Sequence, residues 1–240
     1  MDRLTTIGFD ADDTLWHNEA LFEMTHGRFA ALLADHADPS HLMERLEAAE
    51  RRNLGHYGFG VKGFMLSMIE TAIEVTDARV QAPVIAEIMA AGREMLAHPV
   101  ELLPGVQQVI ETLAPSYTLV LITKGDLLDQ ERKVAQSGLG EYFQAVEIVS
   151  HKTAPVYQTI FGRFDGADRA MMVGNSLKSD VLPALDAGAW GVHVPHGLTW
   201  ALEHADSPEN SSRFFSIAEL SALPKLLNDI QDTQLIAIAP

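Results

Sequence analysis

The chain has 240 residues, a length that suits one large or two modest domains, and its hydrophobic fraction of 47% is enough for a core. Its formal net charge is −16 at pH 7. The acidic balance disfavours a nucleic-acid or membrane-surface partner, because binding to either needs basic patches. With no cysteine, the chain has no disulfides, thiolate zinc sites or cysteine nucleophiles. No signal peptide and no apolar run of membrane-spanning length is evident, so we expect a cytoplasmic protein.

Two patterns alternate along the chain. Residues 4–10 predict a strand, and residues 18–97 then carry apolar side chains at helical spacing, which predicts about four helices. Breaks fall near residues 37–40, 55–60 and 75–77. After Pro99, strands alternate with helices. The predicted strands are 117–123, 145–150, 170–174, 190–194 and a short 214–215, and the predicted helices are 105–114, 127–137, 155–163, 181–187 and 217–228. The tail 229–240 has no clear pattern.

This alternation predicts an α/β fold with a Rossmann-like, doubly wound parallel sheet, because parallel strands need helical crossovers on both faces. An all-helical segment interrupts it after the first strand. We therefore predict a core domain formed by residues 1–15 and 100–240, and a helical domain formed by residues 16–99.

Paired acids end the first predicted strand. Asp10 and Asp12 are two residues apart, so their side chains start on the same side of the strand. Ligands in open α/β sheets bind at this carboxyl edge. Two carboxylates there suit divalent cation binding, nucleophilic attack and acid–base chemistry. The alternative is that they only stabilise a turn or a helix start.

Two further segments follow predicted strands. Thr123, followed by Lys124 and Gly125, can offer a hydroxyl and backbone N–H groups to an oxyanion, although such a threonine can also only satisfy its own turn. Lys152 precedes a predicted helix and can neutralise a phosphate or hold a carboxylate, although most isolated lysines are simply solvated. These four residues are candidate substrate-binding residues.

The last polar segment, Gly174-Asn175-Ser176-Leu177-Lys178-Ser179-Asp180, follows the strand 170–174. Amide and carboxylate oxygens after a strand can ligate a hard cation, which makes Asn175 and Asp180 candidate metal ligands. Asp180 alone could instead be a helix N-cap.

The order of these segments resembles the haloacid dehalogenase-like (HAD) hydrolase superfamily. Phe9-Asp10-Ala11-Asp12-Asp13-Thr14-Leu15 is a highly specific form of its first motif, and the resemblance covers residues 5–15 and 100–228. The helical segment looks like the all-helical cap inserted between the first two motifs in one large subgroup.

The resemblance implies a Mg2+-dependent phosphatase. Asp10 would be the nucleophile that becomes an aspartyl phosphate, and Asp12 would protonate the leaving oxygen and then activate water. Thr123 would bond a phosphoryl oxygen, and Lys152 would offset the charge of the nucleophile and the phosphate. Phosphoryl transfer needs mainly positioning and charge neutralisation, in agreement with these roles.

The metal would lie among the Asp10 side chain, the Asp12 backbone carbonyl, the phosphate and the fourth motif. That motif usually begins with Gly-Asp, whereas here it begins with Gly174-Asn175. An amide oxygen can ligate Mg2+ but brings no charge, so we expect weaker metal affinity, with Asp180 supplying a carboxylate directly or through water.

Other activities stay open at this point. The dehalogenases of the superfamily lack the second acid, because a halide leaving group needs no proton, so Asp12 favours phosphate esters. A phosphonate-cleaving relative would use a lysine of the helical segment, and Lys62 is the only one there. A 2-haloacid dehalogenase, a phosphomutase-like transferase and a non-catalytic binding protein remain alternatives, and Asn175 favours the last.

Residues 53–60 predict a glycine-punctuated aromatic loop between two helices of the insertion. Tyr57 would then contact the substrate, or Tyr57 and Phe59 would only pack on the helices. Because a helical cap would exclude large substrates, we expect a small phosphorylated metabolite as partner, with the protein acting as a monomer or homodimer.

Overall fold

The computed structural model describes residues 3–198, 200–208 and 211–236, without the side chains of residues 233–236. The chain divides into two compact units. We call the first the sheet unit; it consists of Met1–His17, Val100–Thr123 and Lys133–Pro240. The second, the helical unit, consists of Asn18–Pro99 and Lys124–Arg132. Across the described residues, no helix combines the length and apolar character that crossing a bilayer requires.

The helical unit contains α1 (Glu19–Leu32), α2 (Pro39–Tyr57), α3 (Val61–Val75) and α4 (Ala82–Ala97). Helix α2 begins with a capped turn in which the Asp38 side chain accepts the His41 N–H, and a proline occupies its first position. The four helices enclose their own apolar core. Its fully buried members include Phe29, Leu33, Leu42, Leu46, Met68 and Ile88.

The predicted loop 53–60 is wrong in its first part, because α2 continues to Tyr57 and only residues 58–60 connect it to α3. Asn53 explains the longer helix, since its buried amide donates to Ser67 Oγ (3.1 Å) and to Glu70 Oε2 (2.9 Å) of α3. Gly58 then ends α2 at a φ of 72°, where glycine is favoured.

The strands of the sheet unit are β1 (Thr6–Phe9), β2 (Thr118–Lys124, of which the last residue is assigned to the helical unit), β3 (Ala145–Val149), β4 (Ala170–Gly174), β5 (Trp190–His193) and β6 (Phe214–Ser216). Their order in the sheet is β3-β2-β1-β4-β5-β6. Strand β1 pairs in parallel with both β2 and β4. The strand order therefore reverses beside β1, and this switch point is where ligands bind in doubly wound folds. The predicted parallel α/β fold is confirmed.

Helices α5 (Val106–Leu113), α6 (Leu127–Ser137), α7 (Ala154–Phe161), α8 (Leu182–Asp186) and α9 (Leu223–Ile236) alternate with these strands. Strand residues alternate between two apolar clusters: Phe9, Leu121 and Val173 belong to one, and Ile122 and Met172 to the other. A sheet buried on both faces explains why its strands read as continuous apolar runs.

Two predicted helices of this unit differ from the structure. The predicted helix 217–228 is displaced, because a 3-10 turn at Leu220–Ala222 precedes α9, which then runs on to Ile236. Residues 237–240 of the unassigned tail lie outside the described residues. The predicted helix 181–187 is preceded by a π-helical turn, Leu177–Val181, which belongs to the site. The other predicted strands and helices agree with the structure to within two residues at either end.

Candidate active site

The first motif turns sharply at the end of β1. The Asp10 N–H continues the ladder by donating to the Val173 carbonyl of β4 (2.9 Å). The chain then winds around the Ala11 carbonyl, which accepts the N–H groups of Thr14 (3.2 Å) and Leu15 (2.8 Å). Ala11 and Leu15 are fully buried and anchor the turn from below. The polar residues between the two anchors therefore stay at the carboxyl edge of the sheet.

A buried ion cluster joins three of the predicted site residues. Lys152 lies between β3 and α7, and its ammonium group donates to Asp10 Oδ1 and to Asp180 Oδ1, the latter at 2.6 Å. The side chains of Lys152 and Asp180 are each only 1% exposed, and that of Asp10 is 10% exposed. Lys152 is therefore not a solvated surface lysine, because a charge buried to this extent requires partners.

The cluster contains two carboxylates and one ammonium group. Burial first, and then the neighbouring Asp180 carboxylate, raise the pKa of Asp10 to about 7 in total, with Lys152 opposing the shift. Burial alone would lower the pKa of Lys152, but the two carboxylates raise it overall, so the lysine stays charged. When Asp10 is ionised, the cluster has a surplus negative charge, which a bound cation would offset.

Thr14 links the first motif to the fourth. Its hydroxyl accepts the Asn175 N–H (3.0 Å) and lies 3.1 Å from Asp10 Oδ2 and 3.4 Å from Asn175 Oδ1. The hydroxyl has one proton, so it can satisfy only one of these two oxygens at a time. Asp10 and Asn175 thus direct oxygen atoms towards the same point.

This donor set fits Mg2+, which is usually held by one or two carboxylates together with neutral oxygens and substrate phosphate. Asp180 already accepts from Lys152 through one oxygen and from the Ser176 N–H (3.0 Å) through the other. Within the described part of the chain, no group of three or more acidic, histidine or cysteine side chains is arranged to hold a metal. A metal here would be held by the Asp10 carboxylate together with the Asn175 amide and backbone or substrate oxygens.

Gly174 is required by the position of Asp180. A Cβ atom on Gly174 would lie 2.2 Å from Asp180 Oδ2 and 2.7 Å from Asp180 Cβ, closer than any real contact. The π-helical turn carries Asp180 back over the end of β4, and the Ser176 side chain caps this turn by accepting the Ser179 N–H (3.0 Å). Ser176, rather than Asp180, is thus the capping residue.

Asp12 is held by two side chains that the sequence analysis missed. Trp16 Nε1 donates to Asp12 Oδ1 (2.7 Å), and Lys133 Nζ of α6 donates to the same oxygen (2.9 Å). Trp16 is 1% exposed, so its indole is packed in the core and fixes the position of its bond to Asp12. The contact with Trp16 could have been predicted from sequence, because Trp16 follows Asp12 by four residues. The contact with Lys133 could not, because Lys133 lies 121 residues further along the chain.

Thr123 lies at the same edge, since β1 and β2 pair in parallel with Phe9 opposite Leu121. It is 1% exposed. The structure thus joins Asp10, Lys152 and Asp180 by direct hydrogen bonds, and Asn175 to Asp10 through the Thr14 hydroxyl. Asp12 lies in the turn that follows Asp10, and Thr123 lies at the same edge of the sheet.

The remaining predicted residues belong to the helical unit. Lys124 Nζ lies 4.2 Å from the centre of the Phe59 ring, and Lys62 Nζ bonds both Asp126 carboxylate oxygens at 2.9 Å. The connection between α2 and α3 is thereby fixed to the segment that follows Thr123. Lys62 is paired and half exposed, so it lacks the desolvation that an imine-forming lysine needs.

Two other residues of this unit have defined conformations. Gly125 adopts a φ of 141°, which few other residues adopt. Tyr57 is 43% exposed, and its hydroxyl donates to Glu70 Oε1 (2.9 Å). The Tyr57 side chain is therefore oriented by α3 and is not buried in the helical core.

Comparisons with known proteins agree with this architecture. A family model described as haloacid dehalogenase-like hydrolase matches residues 4–188. The solved structure of a haloacid dehalogenase-like family hydrolase from Xanthomonas campestris is 40% identical, with a TM-score of 0.86 over 96% of this chain and 93% of that one. A search of curated proteins finds no match.

Two more distant structures share the fold alone. The HAD-hydrolase YfnB from Bacillus subtilis bound to magnesium is 17% identical, with a TM-score of 0.65 over 95% of this chain and 100% of that one. L-2-haloacid dehalogenase from Xanthobacter autotrophicus with covalently bound chloropropionic acid is 16% identical, with a TM-score of 0.64 over 94% and 98% of the two chains. Together with the motif geometry, the family match over most of the chain confirms the resemblance: the chain belongs to the haloacid dehalogenase-like hydrolase family.

Proposed function

We propose that this hydrolase is a Mg2+-dependent phosphatase that cleaves a small phosphorylated metabolite through an aspartyl phosphate on Asp10. The observation that carries the proposal is the second carboxylate, Asp12, fixed by Trp16 and Lys133 two residues after the nucleophile. A phosphate ester leaves as a basic alkoxide that needs a proton, whereas a halide does not.

Asp10 has the surroundings of an oriented nucleophile. One of its oxygens is bound by Lys152 and the other faces the Thr14 hydroxyl, so the carboxylate cannot rotate freely. Attack of an Asp10 oxygen on phosphorus forms the aspartyl phosphate while the ester oxygen leaves. Asp12 gives a proton to that oxygen, and the Lys152 ammonium group offsets charge on the nucleophile.

The second half of the reaction returns the enzyme to its starting state. Asp12, now ionised, takes a proton from water as the water oxygen attacks the phosphorus. The bond between phosphorus and Asp10 breaks, inorganic phosphate leaves, and both aspartates recover their initial protonation. Thr123, at the same edge of the sheet, would donate its hydroxyl to a phosphoryl oxygen.

Mg2+, when bound, supplies charge neutralisation between the anionic nucleophile and the anionic phosphate. The side chains of Asp10 and Asn175 and the backbone carbonyl of Asp12 would hold it. Asp180 would contribute mainly through its bond to Lys152, because both of its oxygens already accept hydrogen bonds. The magnesium-bound YfnB, which shares the fold, supports a metal in this type of protein.

The substrate is proposed to be a small metabolite, because the resemblance assigns the insertion between the first two motifs to substrate choice. Phe59 and Lys62 bind the segment Lys124–Asp126 directly after Thr123, and Tyr57 lies one residue before the connection. Besides Thr123 and Lys152, we propose Lys124, Gly125 and Tyr57 as substrate contacts, on the strength of the sequence motif and of the aromatic segment alone.

A second candidate function is 2-haloacid dehalogenation. Asn175 favours it, because a neutral amide at the fourth motif lowers the demand for a cation, and a dehalogenase shares the fold. In that reaction Asp10 would attack carbon and the halide would leave without a proton, so Asp12 would have no role.

One experiment separates the two functions. Release of phosphate from an aryl phosphate and of chloride from 2-chloropropionate is measured with Mg2+ or with a chelator, for the wild type and Asp10→Asn. We expect phosphate release that needs both Mg2+ and Asp10. Chloride release that persists in the chelator, with no phosphate release, would establish the dehalogenase instead.

A further inference from the structure

A carboxylate outside the four motifs is bonded to the turn that carries Asp180. After β5 the chain forms a 3-10 turn, Ala201–Glu203, in which Leu202 is buried. Glu203 Oε2 accepts the Ser176 hydroxyl at 2.7 Å and also accepts the Ser179 hydroxyl. Lys178 Nζ donates to the Leu202 carbonyl (2.7 Å), so this segment is attached to the turn at three points.

The two serines are themselves part of the support for Asp180. The Ser179 N–H donates to Ser176 Oγ (3.0 Å), and the Ser176 N–H donates to Asp180 Oδ2 (3.0 Å). The buried Tyr157 hydroxyl donates to the Ser179 carbonyl (3.0 Å). Each serine hydroxyl has a single proton, and both protons go to the same oxygen of Glu203. Without the Glu203 carboxylate, the Ser176 hydroxyl would keep the longer contact to the Glu203 backbone carbonyl (3.4 Å), and the Ser179 hydroxyl would lose its bond to Oε2.

We propose that Glu203 is a positioning residue for the reaction, resting on the proposed function. By fixing Ser176 and Ser179, it holds the π-helical turn in the conformation that presents Asp180 to Lys152. Glu203 touches neither Asp10 nor Lys152, so its effect passes through the turn. A displacement of Asp180 would leave Lys152 free to move relative to the nucleophile, which slows the reaction more than it weakens substrate binding.

The test compares Glu203→Leu, which removes the acceptor, with Glu203→Gln, whose amide oxygen can still accept both hydroxyls. We expect Glu203→Leu to lower kcat by roughly 10- to 100-fold with a KM within about threefold of the wild type, as for supporting residues around other sites. Glu203→Gln should restore most of kcat. Glu219→Leu is the matched control, because Glu219 accepts the Ser221 hydroxyl in an exposed pair of the same unit.

Hydrogen exchange of the amides of residues 176–181 gives a readout that needs no activity. Exchange should be faster in Glu203→Leu and close to wild type in Glu203→Gln and Glu219→Leu. If Glu203→Leu does not fold, Ser179→Ala, which removes one of the two hydroxyls bound by Glu203 and keeps the Ser176 cap, should lower kcat and speed the exchange in the same direction.

Three results would overturn the inference: wild-type kcat in the leucine variant, an equal loss in both Glu203 variants, or unchanged exchange at residues 176–181. A wild type that releases no phosphate from any substrate would refute the proposed function separately. The exchange comparison would then still decide whether Glu203 fixes the turn.

Discussion

Replacing Lys152 by methionine should destabilise the protein strongly, because it leaves two buried carboxylates without their shared cation. Lys152 and Asp180 have side chains that are 1% exposed, and methionine fills a similar volume without charge. Removing one partner of a buried ion pair typically costs about 3–5 kcal/mol of unfolding free energy. This corresponds to roughly a 150- to 5,000-fold shift in the folding equilibrium.

The unfolding free energy lost in Lys152→Met should depend on pH. Burial raises the pKa of Asp10 from 3.8 to about 7, so the folded state holds a proton that the unfolded state has released, and stability falls as pH rises through this range. Without Lys152 that pKa rises further. The cost of Lys152→Met should therefore be larger at pH 8 than at pH 5, by up to about 1.4 kcal/mol, because only the pH unit between the wild-type pKa of about 7 and pH 8 adds to the difference.

Urea denaturation of the metal-free protein at both pH values, followed by intrinsic fluorescence, measures these differences. Lys225→Met, at an exposed position on α9, is the control and should change stability by less than about 0.5 kcal/mol. The double variant Lys152→Met with Asp180→Asn should recover part of the loss, because it removes one of the two carboxylates. A loss below about 1 kcal/mol at pH 8, or one that is independent of pH, would refute the buried cluster.

The other predictions concern activity. Asp12→Asn should slow the reaction most for substrates with basic leaving groups, by roughly 100- to 10,000-fold; an unchanged dependence on leaving-group pKa across aryl phosphates would exclude Asp12 as the acid. Asn175→Asp should tighten Mg2+ activation, because it adds an anionic oxygen near the Thr14 hydroxyl that Asp10 Oδ2 also faces, although repulsion between the two carboxylates offsets part of the gain. Equal activation curves would contradict the role given to Asn175. Tyr57→Ala should reorder metabolite phosphates by kcat/KM and spare a small aryl phosphate; an equal loss on every substrate with a lower Tm would show that it only packs.

The parts of the site that follow sheet strands were predictable from sequence. Strands buried on both faces read as apolar runs, and such a run stops where the chain reaches the edge of the sheet. Asp10, Thr123 and Asn175 could therefore be placed at one edge before the structure was known. Their order along the chain is what made the family recognisable.

The side chains that support the site were not predictable in this way. Helix α6 exposes Leu127 (60%) and Leu128 (70%) and buries Lys133. The usual preference is the opposite, since leucine side chains are mostly buried and lysine side chains mostly exposed. Lys133 is buried because Asp12 pairs with it, and that contact depends on the tertiary fold. Glu203 lies in a segment without a periodic pattern, so only the structure shows its bonds to the two serines.

The end of α2 was mispredicted for a related reason. Gly55 lowers helix propensity by about 1 kcal/mol relative to alanine, and the glycines that follow at 58 and 60 strengthened the prediction of a loop. The bonds from Asn53 to α3 favour the helix at this place, and they join residues 14 and 17 positions apart. Local propensity alone cannot include such contacts.

Trapping of the phosphorylated enzyme tests the central claim most directly. The Asp12→Asn variant is mixed with an aryl phosphate and Mg2+ and quenched in acid, and its peptides are weighed by mass spectrometry. We predict one added phosphoryl group on the peptide that contains Asp10. Hydroxylamine should remove this group, because it cleaves acyl phosphates. The group should be absent when the same experiment is done with Asp10→Asn. A phosphoryl group on another residue, or turnover of phosphate esters by Asp10→Asn at the wild-type rate, would contradict the account.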